Sequence, residues 1–392
     1  MRDKGKNVNN FPIVAICYDF DKTLSPRDMQ NYSLLPKLNC EAADFWAESN
    51  KFAKDNFTDK ILSYMKLILE KSSYSGIPLR KDDFRAMGKD IELFDGVDTW
   101  FKRINEYADT LGLKIEHYII SAGLKEIIEG TSIAHYFTHI YASSFVYGTY
   151  GEPKWPGQVV NYTTKTQYLF RISKDCLDLS DEDSINNYIP EKDRRIPFRN
   201  FIYIGDSETD IPAMKIIKNG GGTSIGVYDK ANGNLDHVRS LLENERIDYF
   251  VPADYSNNSR MEVTVKAVLD KIKSNECLNA LNKRQNKYIE ELSNAEYFCE
   301  YTKELLDEIV DDEEFLKMVK KQTTSIFRKI KKNLSKYESI VPKETTEHFI
   351  NNLHRQINEL FSEKKQRIQL ADAQATPNVP LLPIGDGETD EN

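Results

Sequence analysis

Two aspartates separated by one residue, Asp19 and Asp21, follow an apolar run and are well suited to carry chemistry. The run Ile13–Tyr18 is rich in β-branched side chains, which predicts a strand covered on both faces. Such a strand places both acids at the carboxyl edge of a sheet, where open α/β folds bind ligands. Because two adjacent carboxylates repel, each would protonate unless a cation neutralised the pair. The pair therefore indicates a metal site with one spare carboxylate or, in the simpler interpretation, a solvated acidic turn.

A second acidic cluster has the same setting. The sequence Gly-Asp-Ser-Glu-Thr-Asp at 205–210 directly follows an apolar run at 201–204 that predicts another strand. Two strands of one parallel sheet would bring Asp206 and Asp210 beside the first pair of aspartates. Four carboxylates around one point predict a hard cation with oxygen ligands, and Mg²⁺ is the expected choice.

Two further features could hold an anion near these acids. A third predicted strand, at 117–120, ends in Ser121, Ala122 and Gly123, whose hydroxyl and backbone N–H groups could bind an oxyanion. Lys165 begins a predicted helix and can supply a positive charge. The order of these pieces on successive strand ends is more specific than any one of them.

The wider pattern predicts three kinds of segment. Up to about residue 273 strands and helices alternate, which predicts an α/β fold with a doubly wound, mostly parallel, Rossmann-like sheet. Residues 25–92 interrupt this alternation with helical spacing only. Residues 274–370 contain helical periodicity and no convincing strand, which predicts a separate all-helical module. The proline-containing, acidic end at 371–392 predicts a disordered tail.

Composition limits the classes of function. At 392 residues the chain is long enough for two or three domains. Its net charge of −9 argues against a general nucleic-acid binder, because binding to phosphate backbones needs concentrated Lys and Arg. Five cysteines without CxxC spacing favour reduced thiols, and no signal peptide or membrane span is visible. We therefore expect a cytoplasmic protein with neither a membrane nor a nucleic acid as partner.

Taken in order, these motifs resemble those of the haloacid dehalogenase-like superfamily of hydrolases. The matching pieces are DFDKTL at 19–24, IISAG at 119–123, Lys165, and GDSETD at 205–210. The resemblance spans about residues 11 to 273, and the insert looks like the helical cap of the phosphoserine-phosphatase-like branch. It implies an α/β core at 11–24 and 93–273, a cap at 25–92, and helices at 274–370 that lie outside the family pattern.

The resemblance also implies roles for the residues of the first motif. Asp19 would attack phosphorus and form an aspartyl-phosphate. Asp21 would protonate the leaving oxygen and then deprotonate the attacking water. Thr23 would orient Asp21. Because family members that cleave C–halogen or C–P bonds lack an acid at the second position, Asp21 favours phosphate-ester hydrolysis or phosphoryl transfer.

The remaining implied roles concern the metal and the phosphate. Mg²⁺ would be held by Asp19, the backbone carbonyl of Asp21 and Asp206, with Asp210 in or next to the coordination shell. The segment Ser121, Ala122 and Gly123 would bind phosphoryl oxygens together with Lys165. Lys125 and Lys174 are the alternatives to Lys165.

The function that the resemblance implies is a Mg²⁺-dependent phosphatase. A cap that closes over the site excludes bulky polymers, which favours a small phosphorylated metabolite as substrate. One alternative is a phosphotransferase with an acceptor other than water. Another is a ligand-sensing or assembly protein built on a phosphatase-like core, whose C-terminal helices mediate homo-oligomerisation or bind a protein partner.

Overall fold

Apolar, β-branched runs form the strands of a single seven-stranded sheet in the computed structural model, which describes residues 11–231, 235–308 and 312–375. The chain divides after Asn275 into two compact units, each described by itself below. The strands are β1 (Ile13–Tyr18), β2 (Lys114–Leu124), β3 (Phe137–Tyr147), β4 (Pro153–Gln158), β5 (Phe201–Gly205), β6 (Thr223–Tyr228) and β7 (Tyr249–Pro252). The helices are α1 (Leu34–Lys37), α2 (Ala42–Asp55), α3 (Lys60–Ser75), α4 (Lys81–Met87), α5 (Val97–Thr110), α6 (Lys125–Glu129), α7 (Thr164–Lys174), α8 (Glu182–Asn186), α9 (Ile211–Asn219), α10 (Leu235–Glu243), α11 (Arg260–Glu308), α12 (Glu313–Leu334) and α13 (Lys343–Ala375).

The sheet confirms the predicted α/β architecture. Its strand order is β4-β3-β2-β1-β5-β6-β7, and every neighbouring pair is parallel except β3 and β4. From central β1 the chain moves outward through β2 and β3, and it later returns to place β5 on the other side of β1. The strand order therefore reverses at β1, and such a switch point is where α/β sheets bind ligands.

Alternating side chains of β1 enter two separate cores, as expected for a strand covered on both faces. Val14, Ile16 and Tyr18 pack into one core, which includes α5 and the start of α11. Ala15 and Cys17 pack into the other core, to which α7 and α9 contribute. The second core lies on the face of the sheet from which α7 and α9 approach the carboxyl end of β1.

One predicted boundary was wrong in a way that affects the site. The third predicted strand was placed at 117–120, but β2 runs from Lys114 to Leu124 and so contains Ser121, Ala122 and Gly123. Pairing between β2 and β3 continues past Ser121 through a shift in register before Leu124. Such an irregularity is a common way to redirect a strand end next to a functional site.

An ion pair between buried Glu116 and the more exposed Arg195 fastens the 176–200 segment to the sheet. Glu116 on β2 is 5% exposed and accepts two hydrogen bonds from Arg195, at 2.6 and 2.8 Å. Lys114 and Tyr118 also donate to it. Burial alone would raise the pKa of Glu116, but these hydrogen bonds lower it to about 2.

We expect Glu116→Gln to destabilise the first unit by roughly 3 kcal/mol at pH 7. Because the folded-state pKa lies below the unfolded value, this contribution is present above about pH 4.5 and is lost as the pH falls toward 2. Denaturant unfolding followed by tryptophan fluorescence measures it, since all three tryptophans belong to this unit. The control is Glu92→Gln, which removes an exposed pair with Arg27 and should cost less than about 1 kcal/mol. If the difference in the free energy of unfolding between variant and wild type stayed the same from pH 7 to pH 3, that would contradict the assignment.

The described residues of the second unit, 276–308 and 312–375, form helices joined by a short turn and include no strand, as predicted. Apolar side chains from its three helices, among them Leu306, Leu316 and Phe361, form a core of their own. Helix α13 ends at Ala375, so the first five residues of the predicted tail are helical, and 376–392 lie outside the described residues. The segment boundaries given in the sequence analysis stay predictions. Within the described ranges no helix combines the length and apolar character needed to cross a membrane.

Candidate active site

Three carboxylates meet at the carboxyl end of the central strands. Asp19 follows β1, Asp206 follows β5, and Asp210 immediately precedes α9. Strands β1 and β5 are parallel neighbours, and the backbone N–H of Asp19 donates to the carbonyl of Ile204 at 2.9 Å. One carboxylate oxygen from each of the three acids lies within 4.8 Å of the others. The structure thus brings these predicted site residues together.

Lys165 lies inside this cluster. Its Nζ donates to Asp19 Oδ2 at 2.8 Å and to Asp210 Oδ1 at 2.7 Å, and its side chain is completely buried. The two alternatives lie elsewhere: Lys125 is 4.0 Å from Glu129, and Lys174 donates to backbone carbonyls in and after α8. Among these three lysines, Lys165 is the one that contacts the acids.

Asp210 is held by more donors than the other acids. Its Oδ1 accepts hydrogen bonds from Lys165 and from the Tyr203 hydroxyl, both at 2.7 Å. Its Oδ2 accepts from the backbone N–H and the hydroxyl of Ser207, at 3.2 and 3.0 Å. A carboxylate with two donors on each oxygen is already well satisfied.

Asp206 has far less support. Its Oδ1 accepts one long hydrogen bond, 3.4 Å, from the Thr23 hydroxyl. The bond that Thr23 makes is therefore to Asp206, whereas the resemblance implied that Thr23 orients Asp21. Burial and the charges of Asp19 and Asp210 raise the pKa of Asp206 well above its ordinary value. The positive charges that act on this carboxylate, those of Lys22 and Lys165, are too weak to offset the effect of burial on its pKa.

Asp21 is not a member of the three-acid cluster, which contains three of the four carboxylates expected around one point. Its Oδ1 accepts from the backbone N–H of Met29 at 2.8 Å. Its Oδ2 lies beside Gly123, only 3.1 Å from where a Cβ would stand on that residue. The left-handed backbone of Lys22, with φ of 57°, turns the chain directly after Asp21. Burial, together with the charges of Asp28 and Asp19, raises the pKa of Asp21 well above its ordinary value.

The Ser121–Gly123 segment lies beside Asp21. Ser121 is almost completely buried, and its hydroxyl accepts a hydrogen bond from the Gly123 N–H at 3.1 Å. A Cβ on Gly123 would stand 2.1 Å from the Met29 methyl group, so a larger residue would require the Met29 side chain to move. This close packing joins the second motif to the first.

Two hydrogen bonds from the start of α3 connect the helical insert to the site. The Tyr64 hydroxyl donates to the carbonyl of Ala122 at 2.7 Å. Asp59, which caps α3, accepts from the side chain of Asn161 at 2.6 Å, four residues before Lys165. Neither contact can be predicted from the sequence, because helical spacing indicates that Tyr64 is buried but not which strand end it touches.

The donor set fits a small divalent cation. When all three clustered carboxylates are ionised they carry three negative charges, and the ammonium of Lys165, which pairs with Asp19 and Asp210, balances one of them. Oxygen-only ligands with excess negative charge are what Mg²⁺ requires. Asp206 accepts only one long hydrogen bond in the described structure, so its carboxylate is the most available ligand for such a cation.

A parallel sheet with carboxylates and a buried lysine at its switch point defines a Rossmann-like catalytic scaffold. A model of the family described as haloacid dehalogenase-like hydrolase matches residues 16–215, just over half of the chain. The chain belongs to this family and is an enzyme of the hydrolase class.

Individual relatives are more distant. The chain is 26% identical over 277 residues to an uncharacterized protein of Borreliella burgdorferi, covering 64% of this chain and 94% of that protein. A hydrolase structure of the same family from Salmonella enterica serovar Typhi aligns with a TM-score of 0.42 and 15% identity, covering 62% of this chain and 68% of that one. A phosphoserine phosphatase structure with an analogue of the phospho-aspartyl intermediate aligns with a TM-score of 0.39 and 14% identity, covering 65% of this chain and 99% of that one.

Proposed function

We propose that this protein is a Mg²⁺-dependent phosphatase that hydrolyses a small phosphorylated metabolite through an aspartyl-phosphate on Asp19. The observation that carries this proposal is the cluster of Asp19, Asp206 and Asp210, with buried Lys165 bonded to Asp19 and Asp210. Membership in a hydrolase family supports the reaction class.

The reaction proceeds in two displacement steps. A carboxylate oxygen of Asp19 attacks phosphorus, the bond from phosphorus to the ester oxygen breaks, and Asp21 gives its proton to that leaving oxygen. Water then attacks the same phosphorus, gives a proton to Asp21, and releases orthophosphate from Asp19. The Asp21 carboxyl group is not part of the three-acid cluster, which supports these separate roles. A carboxyl group that donates a proton should not itself be a ligand of the cation.

The anionic oxygens of the transferred group need donors. Lys165 is already within hydrogen-bond distance of Asp19, so a phosphoryl group on that carboxylate is within reach of its ammonium. Ser121 and the backbone after it supply neutral donors on the neighbouring strand end. Such preorganised donors stabilise charge that develops in the transition state.

The metal would be held by Asp19, Asp206 and the backbone carbonyl of Asp21. Asp210 would lie next to the coordination shell, because both of its oxygens are already occupied by donors. When bound, Mg²⁺ neutralises phosphate charge and lets an anionic nucleophile approach an anionic substrate.

A small substrate is supported by how enclosed the site is. Asp19 is 6% exposed, and Lys165 is fully buried. The insert contacts the site directly through the hydrogen bond from Tyr64 to Ala122. An insert that must open and close over these residues favours a metabolite over a polymer. Association through the C-terminal helices stays a prediction.

We expect aryl phosphate hydrolysis to require Mg²⁺, to stop in EDTA, and to return when Mg²⁺ is added in excess. Asp206→Asn should raise the Mg²⁺ concentration for half-maximal rate by roughly tenfold or more. Asp82→Asn, an exposed acid on α4, is the control and should leave it unchanged. Release of orthophosphate without an added acceptor distinguishes hydrolysis from transfer. Full turnover in EDTA, or an Asp206→Asn enzyme with the wild-type Mg²⁺ requirement, would overturn the metal assignment.

A further inference from the structure

We propose that Tyr203 is a positioning residue for phosphoryl transfer. Its hydroxyl shares one oxygen of Asp210 with Lys165 and so sets how the ammonium is divided between Asp210 and Asp19. The inference rests on the proposed phosphatase function and assigns it a residue outside the four motifs.

The geometry is specific. Tyr203 is completely buried at the centre of β5, and its hydroxyl donates to Asp210 Oδ1 at 2.7 Å. The same oxygen accepts from Lys165 Nζ at 2.7 Å, while that nitrogen also donates to Asp19 Oδ2 at 2.8 Å. A continuous chain of hydrogen bonds therefore runs from the Tyr203 phenol to the carboxylate proposed as nucleophile.

The strand register explains why this position reaches the site. Phe201, Tyr203 and Gly205 lie on one face of β5, since side chains alternate along a strand. That face packs against α7 and α9, which carry Lys165 in the first turn of one and Asp210 at the start of the other. At Gly205 a Cβ would stand 2.6 Å from the Asp210 carboxylate, so the missing side chain leaves room for this acid above Tyr203.

The second donor on Asp210 Oδ1 has an energetic consequence. A phenol and an ammonium that share one carboxylate oxygen compete for its negative charge. Without the phenol, Asp210 attracts Lys165 more strongly, and less of the ammonium's hydrogen bonding is available to Asp19 or to a phosphoryl group. Tyr203 therefore acts through Asp210 and Lys165 and touches neither substrate nor nucleophile.

Tyr203→Phe removes a single oxygen and tests the inference. We expect kcat for aryl phosphate to fall about tenfold with KM nearly unchanged, the size of a lost charge-assisted hydrogen bond. Orthovanadate, a phosphate analogue, should bind about tenfold more weakly in calorimetry, which requires no turnover. The control is Tyr141→Phe, because Tyr141 is also buried on this face and donates to the carbonyl of Leu177 at 3.0 Å, away from the acids. It should leave kcat and vanadate affinity unchanged.

A second variant tests the same hydrogen bond by changing its acceptor, Asp210. In an Asp210→Asn background, Tyr203→Phe should cause little further loss of vanadate affinity, because the charge that the phenol shares with Lys165 is already gone. Wild-type kcat and vanadate affinity in Tyr203→Phe would overturn the inference, as would equal losses in Tyr203→Phe and Tyr141→Phe. A wild-type enzyme without phosphatase activity would instead overturn the proposed function.

Discussion

Asp19→Asn is expected to lower the rate of aryl phosphate hydrolysis by more than about a thousandfold. The amide oxygen of asparagine is a poor nucleophile, so the first displacement cannot take place, whereas the size of the side chain hardly changes. The fold should persist, since the Phe20 N–H can still donate to an amide oxygen and Lys165 keeps its bond to Asp210. Steady-state rates at saturating Mg²⁺ measure the loss, and circular dichroism checks the fold.

A matched control for this variant is Glu262→Gln. Glu262 is also a buried acid with an ion-pair partner, Arg103, but it lies on α11 and outside the site. We expect its effect on the rate to stay within about threefold, as for a substitution that touches no reacting group. Turnover by Asp19→Asn at a rate near that of wild type would remove Asp19 as the nucleophile.

Lys165→Met is expected to abolish activity and to destabilise the first unit by about 3–5 kcal/mol. The ammonium is fully buried between Asp19 and Asp210, and its removal leaves two buried carboxylates without their shared counter-charge. Removing one partner of a buried ion pair is costly for this reason. Denaturant unfolding in EDTA, followed by tryptophan fluorescence, measures the change without compensation by a metal.

A companion variant separates stability from catalysis. In Lys165→Met/Asp210→Asn the number of clustered carboxylates without the lysine counter-charge falls from three to two, so we expect a large part of the lost stability to return. Activity should not return, because the cation that contacts the phosphoryl oxygens is still missing. A Lys165→Met protein as stable as wild type, or a double variant with restored turnover, would contradict the assigned role of Lys165.

Much of the fold and part of the site follow from the sequence for identifiable reasons. The apolar run Ile13–Tyr18 predicts a strand covered on both faces, and the alternation of its side chains between two cores confirms this. Since parallel strands end at one edge, the acids after β1 and β5 were expected to meet there, and Asp19 and Asp206 do. The family assignment is likewise confirmed by the match to residues 16–215.

The details of the site depended on backbone turns that the sequence does not encode in any periodic pattern. The chain turns at Lys22, directly after Asp21, and the Asp21 carboxylate accepts from Met29 and lies beside Gly123. β2 extends through Ser121 because pairing with β3 survives a register shift.

The hydrogen-bond partners of buried polar side chains could not be predicted from the sequence pattern either. In the run Phe201–Gly205, Tyr203 counts only as one more buried strand residue, and burial says nothing about where a hydroxyl donates. The bond from Tyr64 to Ala122 joins residues far apart in the chain, and it depends on how the insert packs. Both contacts become visible only in the three-dimensional structure.

The central claim is that Asp19 carries the phosphoryl group during turnover. The most direct measurement mixes the full-length protein with Mg²⁺ and an aryl phosphate labelled with radioactive phosphorus, quenches with acid within a single turnover, and maps the labelled peptide. We expect acid-trapped label on the peptide that contains Asp19, and none in Asp19→Asn. Orthophosphate release by wild type without any trapped label, or label on another residue, would contradict it.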